Sequence, residues 1–259
     1  MRLGKDPDSV HDARVAVRRL RSHLRTFRRL VDREWSETLR GELAWLGDAI
    51  GEVRDAEVLR DRLSSRLEEI DPGGPATALI VALESRRVVA RRQLLAAMGS
   101  ARYRSLIDEL AAATTQPRGP ARRAARPAER GLTLMQAPWK RLSTRVATAG
   151  PDASDELLHR IRIDAKRVRY AAEAFVPVAG KGAARFAKSA GSLQEVLGEH
   201  QDAVTTARWL RDQGARAEAS SIAFGVGRLA EIEERERAAA RAAWPRTWRA
   251  LERRKRFWP

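Results

Sequence analysis

At 259 residues the chain is long enough for one large domain or two small ones with real cores. It carries 50 Lys and Arg against 34 Asp and Glu, a formal charge of +16, which points to partners such as nucleic acid, anionic lipid or another polyanion. The absence of cysteine excludes disulfides, thiolate metal sites and a cysteine nucleophile; with no apolar run of ~18 residues and no secretory leader, the expected location is the cytoplasm.

With only 5% aromatics and long Ala/Arg/Leu/Glu stretches, the composition predicts an all-α fold. The first helix opens at Asp6 as N-cap with Pro7 behind it and runs to about Val31. A second spans about Asp32 to Ile70 and stops at Asp71-Pro72-Gly73-Gly74-Pro75. A third covers Pro75 to Met98, and Gly99-Ser100 hands over to a fourth ending near Thr114. Residues 117–131, rich in Pro, Arg and Ala, read as a linker between a first bundle (1–116) and a second (132–259). Further helices are expected at Leu132–Thr148, kinked by Pro138, and at Ser154–Phe175, Gly182–Asp212 and Ala215–Ala242. A short basic tail helix, Pro245–Phe257, closes the chain.

The strongest organising signal is an internal repeat. HDARVAVRRLRSHLRTF (11–27) aligns without a gap on HRIRIDAKRVRYAAEAF (159–175), and LGDAIGEVRDA (46–56) aligns on LQEVLGEHQDA (193–203). The halves should therefore be similar helical bundles. The second half has a helix before its basic helix and the first does not. Either the first bundle lacks that helix, or the chain is shorter than its relatives at the N-terminus.

At about 100° per residue, His11, Arg14, Arg18, Arg21 and Arg25 share an arc of roughly 80°, opposite an apolar face of Ala13, Val17, Leu20, Leu24 and Phe27. His159, Arg162, Lys166 and Arg169 repeat the pattern. Like charges three and four apart repel when nothing relieves them, and a bound polyanion would remove that cost. Arginine suits phosphate because its planar fork donates two hydrogen bonds and keeps its charge. The two register-matched histidines are either pH-dependent ligand donors or structural hydrogen-bonding groups near each helix start. His23 and His200 have no counterpart in the repeat and read as structural.

Further candidates for the basic surface are Arg19, Arg167, Lys140, Arg208 and Arg211, with Arg141 and the tail Arg253–Arg256 as weaker extensions. Asp55 and Asp202, with Glu52 and Glu199 three residues earlier, admit a Mg²⁺ held through phosphates. The preferred reading is that they hold neighbouring arginines, with Gly51 and Gly198 at helix crossings, so no metal and no cofactor are expected.

The doubled H-x-x-R-x-x-x-[RK]-[RK]-x-R segments and Leu197–Ala203 resemble the CHAD family, the conserved histidine α-helical domains. The resemblance implies two pseudo-symmetric four-helix bundles whose motif helices line a basic central groove or pore. It also implies non-catalytic binding of inorganic polyphosphate, with association to polyphosphate granules as a corollary. Non-specific nucleic-acid binding is the main alternative. A polyphosphatase or triphosphatase is the lesser one, because no P-loop or metalloenzyme motif is present. Glu231-x-Glu233-x-Arg235 resembles the glutamates of triphosphate-tunnel enzymes only faintly and sits in a helical stretch.

Overall fold

A computed structural model describes residues 8–70, 74–116, 118–119, 134–150, 152–217 and 219–254. The described residues contain helices and turns and no strand. The chain divides into two compact units between residues 124 and 125.

In the first unit, α1 spans Asp8–Thr26, α2 Arg33–Ile70, α3 Ala78–Met98 and α4 Ala101–Thr115. The expected cap at Asp6 and Pro7 lies outside the described residues, as does most of the linker. Helix α1 stops before the expected Val31. The chain tightens there through a Leu30 N–H to Phe27 carbonyl bond of 2.7 Å, and Asp32 then caps α2 by accepting from the Trp35 N–H at 2.8 Å. A competing N-cap thus ends one helix and starts the next. Pro75–Thr77 forms a single 3₁₀ turn ahead of α3, and Ser100 caps α4 by accepting from the Tyr103 N–H.

Helix α2 organises this unit because it buries a residue every third or fourth position: Leu39, Leu43, Leu46, Ile50 and Val53, then Leu59, Leu63 and Leu67. Its N-terminal half receives Val10, Ala13, Val17 and Leu24 of α1, and α3 adds Ala90 and Leu94. Burying the apolar side of α1 leaves His11, Arg18 and Arg19 exposed, while Arg14 and Arg21 lie across α2.

In the second unit, α5 spans Gln136–Ala147, α6 Asp155–Gly214 and α7 Ser220–Glu252. Two expectations change here, the kink at Pro138 and the separate tail helix. Pro138 lies in the first turn of α5, where its missing N–H has no intrahelical partner to lose, so no kink is required. The two expected helices, 154–175 and 182–212, are present as the two segments of α6, which meet at Gly180, whose φ of 59° reverses the chain and suits glycine. The first segment passes through Pro177 before that break.

The expected tail helix is instead the continuation of α7 through Pro245. Trp244 and Trp248 on either side of the proline are buried, and Trp248 stacks on Trp139 with ring centroids 5.3 Å apart. Packing of two tryptophans outweighs the ~3 kcal/mol that an interior proline costs a helix. Lys255 and Arg256 lie outside the described residues.

Candidate functional site

The basic face of α1 stands over the N-terminal half of α2. Arg14, only 15% exposed, donates from Nη1 to the Asp55 carboxylate at 2.8 Å and lies 3.5 Å from the Gly51 carbonyl. Asp55 is therefore an arginine holder, as the sequence suggests. Arg21 lies beside Gly47, where a Cβ would come within 3.3 Å of Val17 and 3.6 Å of the Arg21 guanidinium. The tight crossing is thus one turn before Gly51, at which a Cβ would meet nothing within 4 Å. The expected crossing at Gly51 is corrected to Gly47. His11, Arg18 and Arg19 are exposed, and Arg25 is half-buried near the end of the helix.

In the second unit the two segments of α6 run side by side. Arg162 lies on Gly198, with its guanidinium 3.4 Å from where a Cβ would stand, and Arg169 lies on Gly191 at 3.8 Å. Gly198 is the crossing point the sequence predicts. His159, Arg162, Lys166 and Arg169 share one side of the first segment and are all half-buried. Each unit thus lays motif arginines flat on the backbone of its second helix.

Burial pushes the His159 imidazole below its ordinary pKa, and the positive charges of Arg162 and Lys166 push the same way against a hydrogen bond with Gln201. His159 is therefore neutral at pH 7 without ligand, and a polyanion beside it would restore affinity for a proton.

Two departures from the repeat matter. Where the first unit has Arg25, the second has Glu173, which accepts from Arg169 Nε at 2.8 Å. Where the first has Ala16, the second has Asp164, 1% exposed, held by Arg145 at 3.0 Å and Arg167 at 2.7 Å. Arg167 is thus committed to a buried carboxylate away from the motif face. Lys140 sits on α5, against the opposite side of α6 from His159 and Arg162. Arg211 pairs with Glu234 of α7, and Arg208 is exposed. Glu173, Asp164, Arg145 and Gln201 escaped the sequence reading. The first two were detectable as the places where the repeat exchanges charge.

A second network fastens α7 to the start of α6. Asp155 accepts from Arg237 at 2.7 Å and Arg241 at 2.9 Å, with His200 Nε2 3.3 Å away. Burial would raise the Asp155 pKa, but the two arginine hydrogen bonds outweigh it and hold the carboxyl below its ordinary value. Burial lowers the pKa of His200, 1% exposed, against the opposing pull of the Asp155 carboxylate, and Arg241 and Arg237 lower it further. The consequence for stability has a definite sign. The unfolded chain takes up protons at His200 and His159 near pH ~6.5, while the folded chain resists until lower pH. The stability of the ligand-free protein is complete above ~6.5 and declines as pH falls below it. Thermal midpoints measured from pH 8 to 5.5 should fall on the acid side, with a shallower fall in a His159→Gln, His200→Gln variant.

Among the described residues, no group of three or more His, Asp or Glu is arranged to hold a metal. Glu231 pairs with Arg235 at 3.0 Å and Glu233 is fully buried on α7, so these glutamates do not form an open carboxylate pair. No described helix is long and apolar enough to cross a membrane.

The fold and site define a class of helical protein with a duplicated cationic helix face, braced by a neighbouring helical segment in each unit. The CHAD domain profile matches residues 1–211, and the chain belongs to the CHAD domain family. It is 32% identical over 238 residues to the Mycobacterium tuberculosis protein Rv2226, a match covering 87% of this chain and 44% of that protein. The chain thus spans less than half the length of that relative. Among solved structures it is similar to PptA from Streptomyces chartreusis, with a TM-score of 0.77 and 27% identity over 93% of this chain and 90% of the other. It is also similar to the CHAD domain of the plant Ricinus communis, with a TM-score of 0.65 and 27% identity over 98% of this chain and 82% of that one.

Proposed function

We propose that the chain binds inorganic polyphosphate through the two motif faces and performs no catalysis on it. The observation that carries this reading is the register match. His11, Arg14, Arg18 and Arg21 have counterparts in His159, Arg162, Lys166 and Arg169, and in each unit two of the arginines lie over glycines of the neighbouring helical segment. A solvated surface does not require the same cations twice. Arginine guanidinia extended over a glycine backbone keep their forks in fixed directions, which suits a ligand that repeats one anionic group along its length. Arg25 and its replacement by Glu173 give the first unit the stronger positive face.

The absence of aromatic residues from the basic side of α1 favours polyphosphate over single-stranded nucleic acid, which gains affinity from base stacking. Phosphoryl transfer has no support from a carboxylate cluster among the described residues. On this reading the protein acts in the cytoplasm at polyphosphate granules.

A competition titration tests it. Labelled long-chain polyphosphate bound at about 150 mM salt should be displaced by unlabelled polyphosphate at concentrations at least tenfold lower, per phosphate, than by duplex DNA or RNA. Equal displacement would assign the faces to polyanions in general. Orthophosphate release on incubation with Mg²⁺ would overturn the non-catalytic reading.

A further inference from the structure

The geometry points to a second anion site in the second unit, on the side of α6 away from the motif face, built to take a short inorganic oligophosphate. It goes beyond the polyphosphate reading and does not depend on it.

Helix α5 carries Lys140, Arg141 and Arg145 and no acidic residue in its twelve positions. These three cations and Arg160 of α6 line one cleft of about 590 Å³, with Thr144 beside them and Leu157 among its apolar lining. Like charges gathered this closely repel one another when the cleft is empty. Lys140 and Arg141 are exposed and make no ion pair among the described residues.

The cleft is braced from beneath. Asp164, almost wholly buried, forms an ion pair with Arg145 Nε at 3.0 Å, which draws that arginine to the cleft wall. The same carboxylate takes Arg167 on its other oxygen at 2.7 Å. A buried acid that holds an arginine in place at a cavity is a preorganised anion contact, because the side-chain ordering is complete before the ligand arrives. Asp164 departs from the repeat in the half that has α5, since the first unit has Ala16 at that position and no described helix ahead of α1. The cleft is therefore not a duplicate of the motif site.

Charge sets the ligand class. Of the four cations that line the cleft, Arg145 pairs with Asp164 and Arg160 with Glu156, while Lys140 and Arg141 pair with no carboxylate among the described residues. The Arg160–Glu156 bridge at 2.7 Å joins two exposed side chains, so it is screened and readily exchanged. Lys140 and Arg141 keep their full charge for the ligand and Arg160 adds a third when its bridge exchanges, which calls for several negative charges within a few ångströms. Linked phosphates supply them and present paired oxygens to each guanidinium. The Thr144 hydroxyl adds a neutral donor.

Tripolyphosphate is the probe, titrated calorimetrically into the full chain. A Lys140→Ala, Arg141→Ala variant, altered only at exposed helix positions where alanine is a good helix former, should lose one class of sites or weaken it at least about tenfold. Helical circular dichroism should be unchanged. The Arg18→Glu, Lys166→Glu variant, disabled on both motif faces, should keep that class of sites. Tripolyphosphate binding that is identical with and without Lys140 and Arg141 overturns the second site. Binding that vanishes with the motif reversal alone also overturns it, since the motif faces would then account for everything. Failure of the polyphosphate reading looks different: long chains would bind the motif-reversed protein as tightly as the unaltered one.

Discussion

Asp164→Ala should cost the second unit about 3 kcal/mol of stability, read as a lower denaturation midpoint with little change in slope. Two arginines from different places converge on this carboxylate, one on α5 and one a turn along α6, and its own exposure is 1%. Removing one partner of a buried ion pair costs about 3–5 kcal/mol, mostly because the remaining charge is left without a counter-charge. Arg145 and Arg167 are 30% and 28% exposed, so both can turn partly toward water, which sets the expectation at the lower end of that range. Glu156→Gln, which breaks the exposed pair with Arg160, should change stability by less than about 1 kcal/mol. If the two variants cost the same, Asp164 does not anchor α5. Asp164→Asn keeps hydrogen-bonding oxygen and loses charge, so it should fall between them.

The contrast between these acids shows which parts of the molecule were readable from sequence. The helices of the first unit follow directly from periodicity, because Leu39, Leu43, Leu46, Ile50 and Val53 mark one face of α2 at helical spacing. The basic face of α1 was legible for the same reason: burial of Val10, Ala13, Val17 and Leu24 dictates where Arg14, Arg18 and Arg21 must go. Local rules failed where tertiary contacts outweighed them. Pro245 signals a helix end, yet Trp244 and Trp248 carry α7 through it. Gly51 matches Gly198 in the repeat, but the close approach falls at Gly47, since the repeat fixes residue types and not the depth at which two helices cross. Lys140 and Arg167 are as basic as their neighbours. What separates them from the motif face is a helix packing against the other side of α6, and only a structure supplies that.

Reversing one cation in each unit, Arg18→Glu with Lys166→Glu, should reduce affinity for long-chain polyphosphate by about 10²–10⁴-fold at physiological salt. Hydrogen bonds to charged groups contribute about 1.5–3 kcal/mol each, so losing two amounts to roughly 3–6 kcal/mol, and each 1.4 kcal/mol is tenfold. The introduced carboxylates add repulsion along a ligand that carries charge on every unit. Fold should survive. Arg18 is exposed, Lys166 is half-buried, and both lie opposite the apolar faces that hold their helices.

The dependence on salt discriminates further than affinity alone. Each phosphate contact removed lowers the slope of log K against log salt by somewhat less than one, so the double variant should lose between one and two units of slope. A variant that binds weakly with an unchanged slope has lost its fold or its ligand geometry, not its phosphate contacts. Binding at wild-type strength would place the polyanion away from both motif faces. The single variants then separate the units: because Glu173 already occupies Arg169, Lys166→Glu should cost less than Arg18→Glu. The reverse order would make the second unit the dominant face despite its acid.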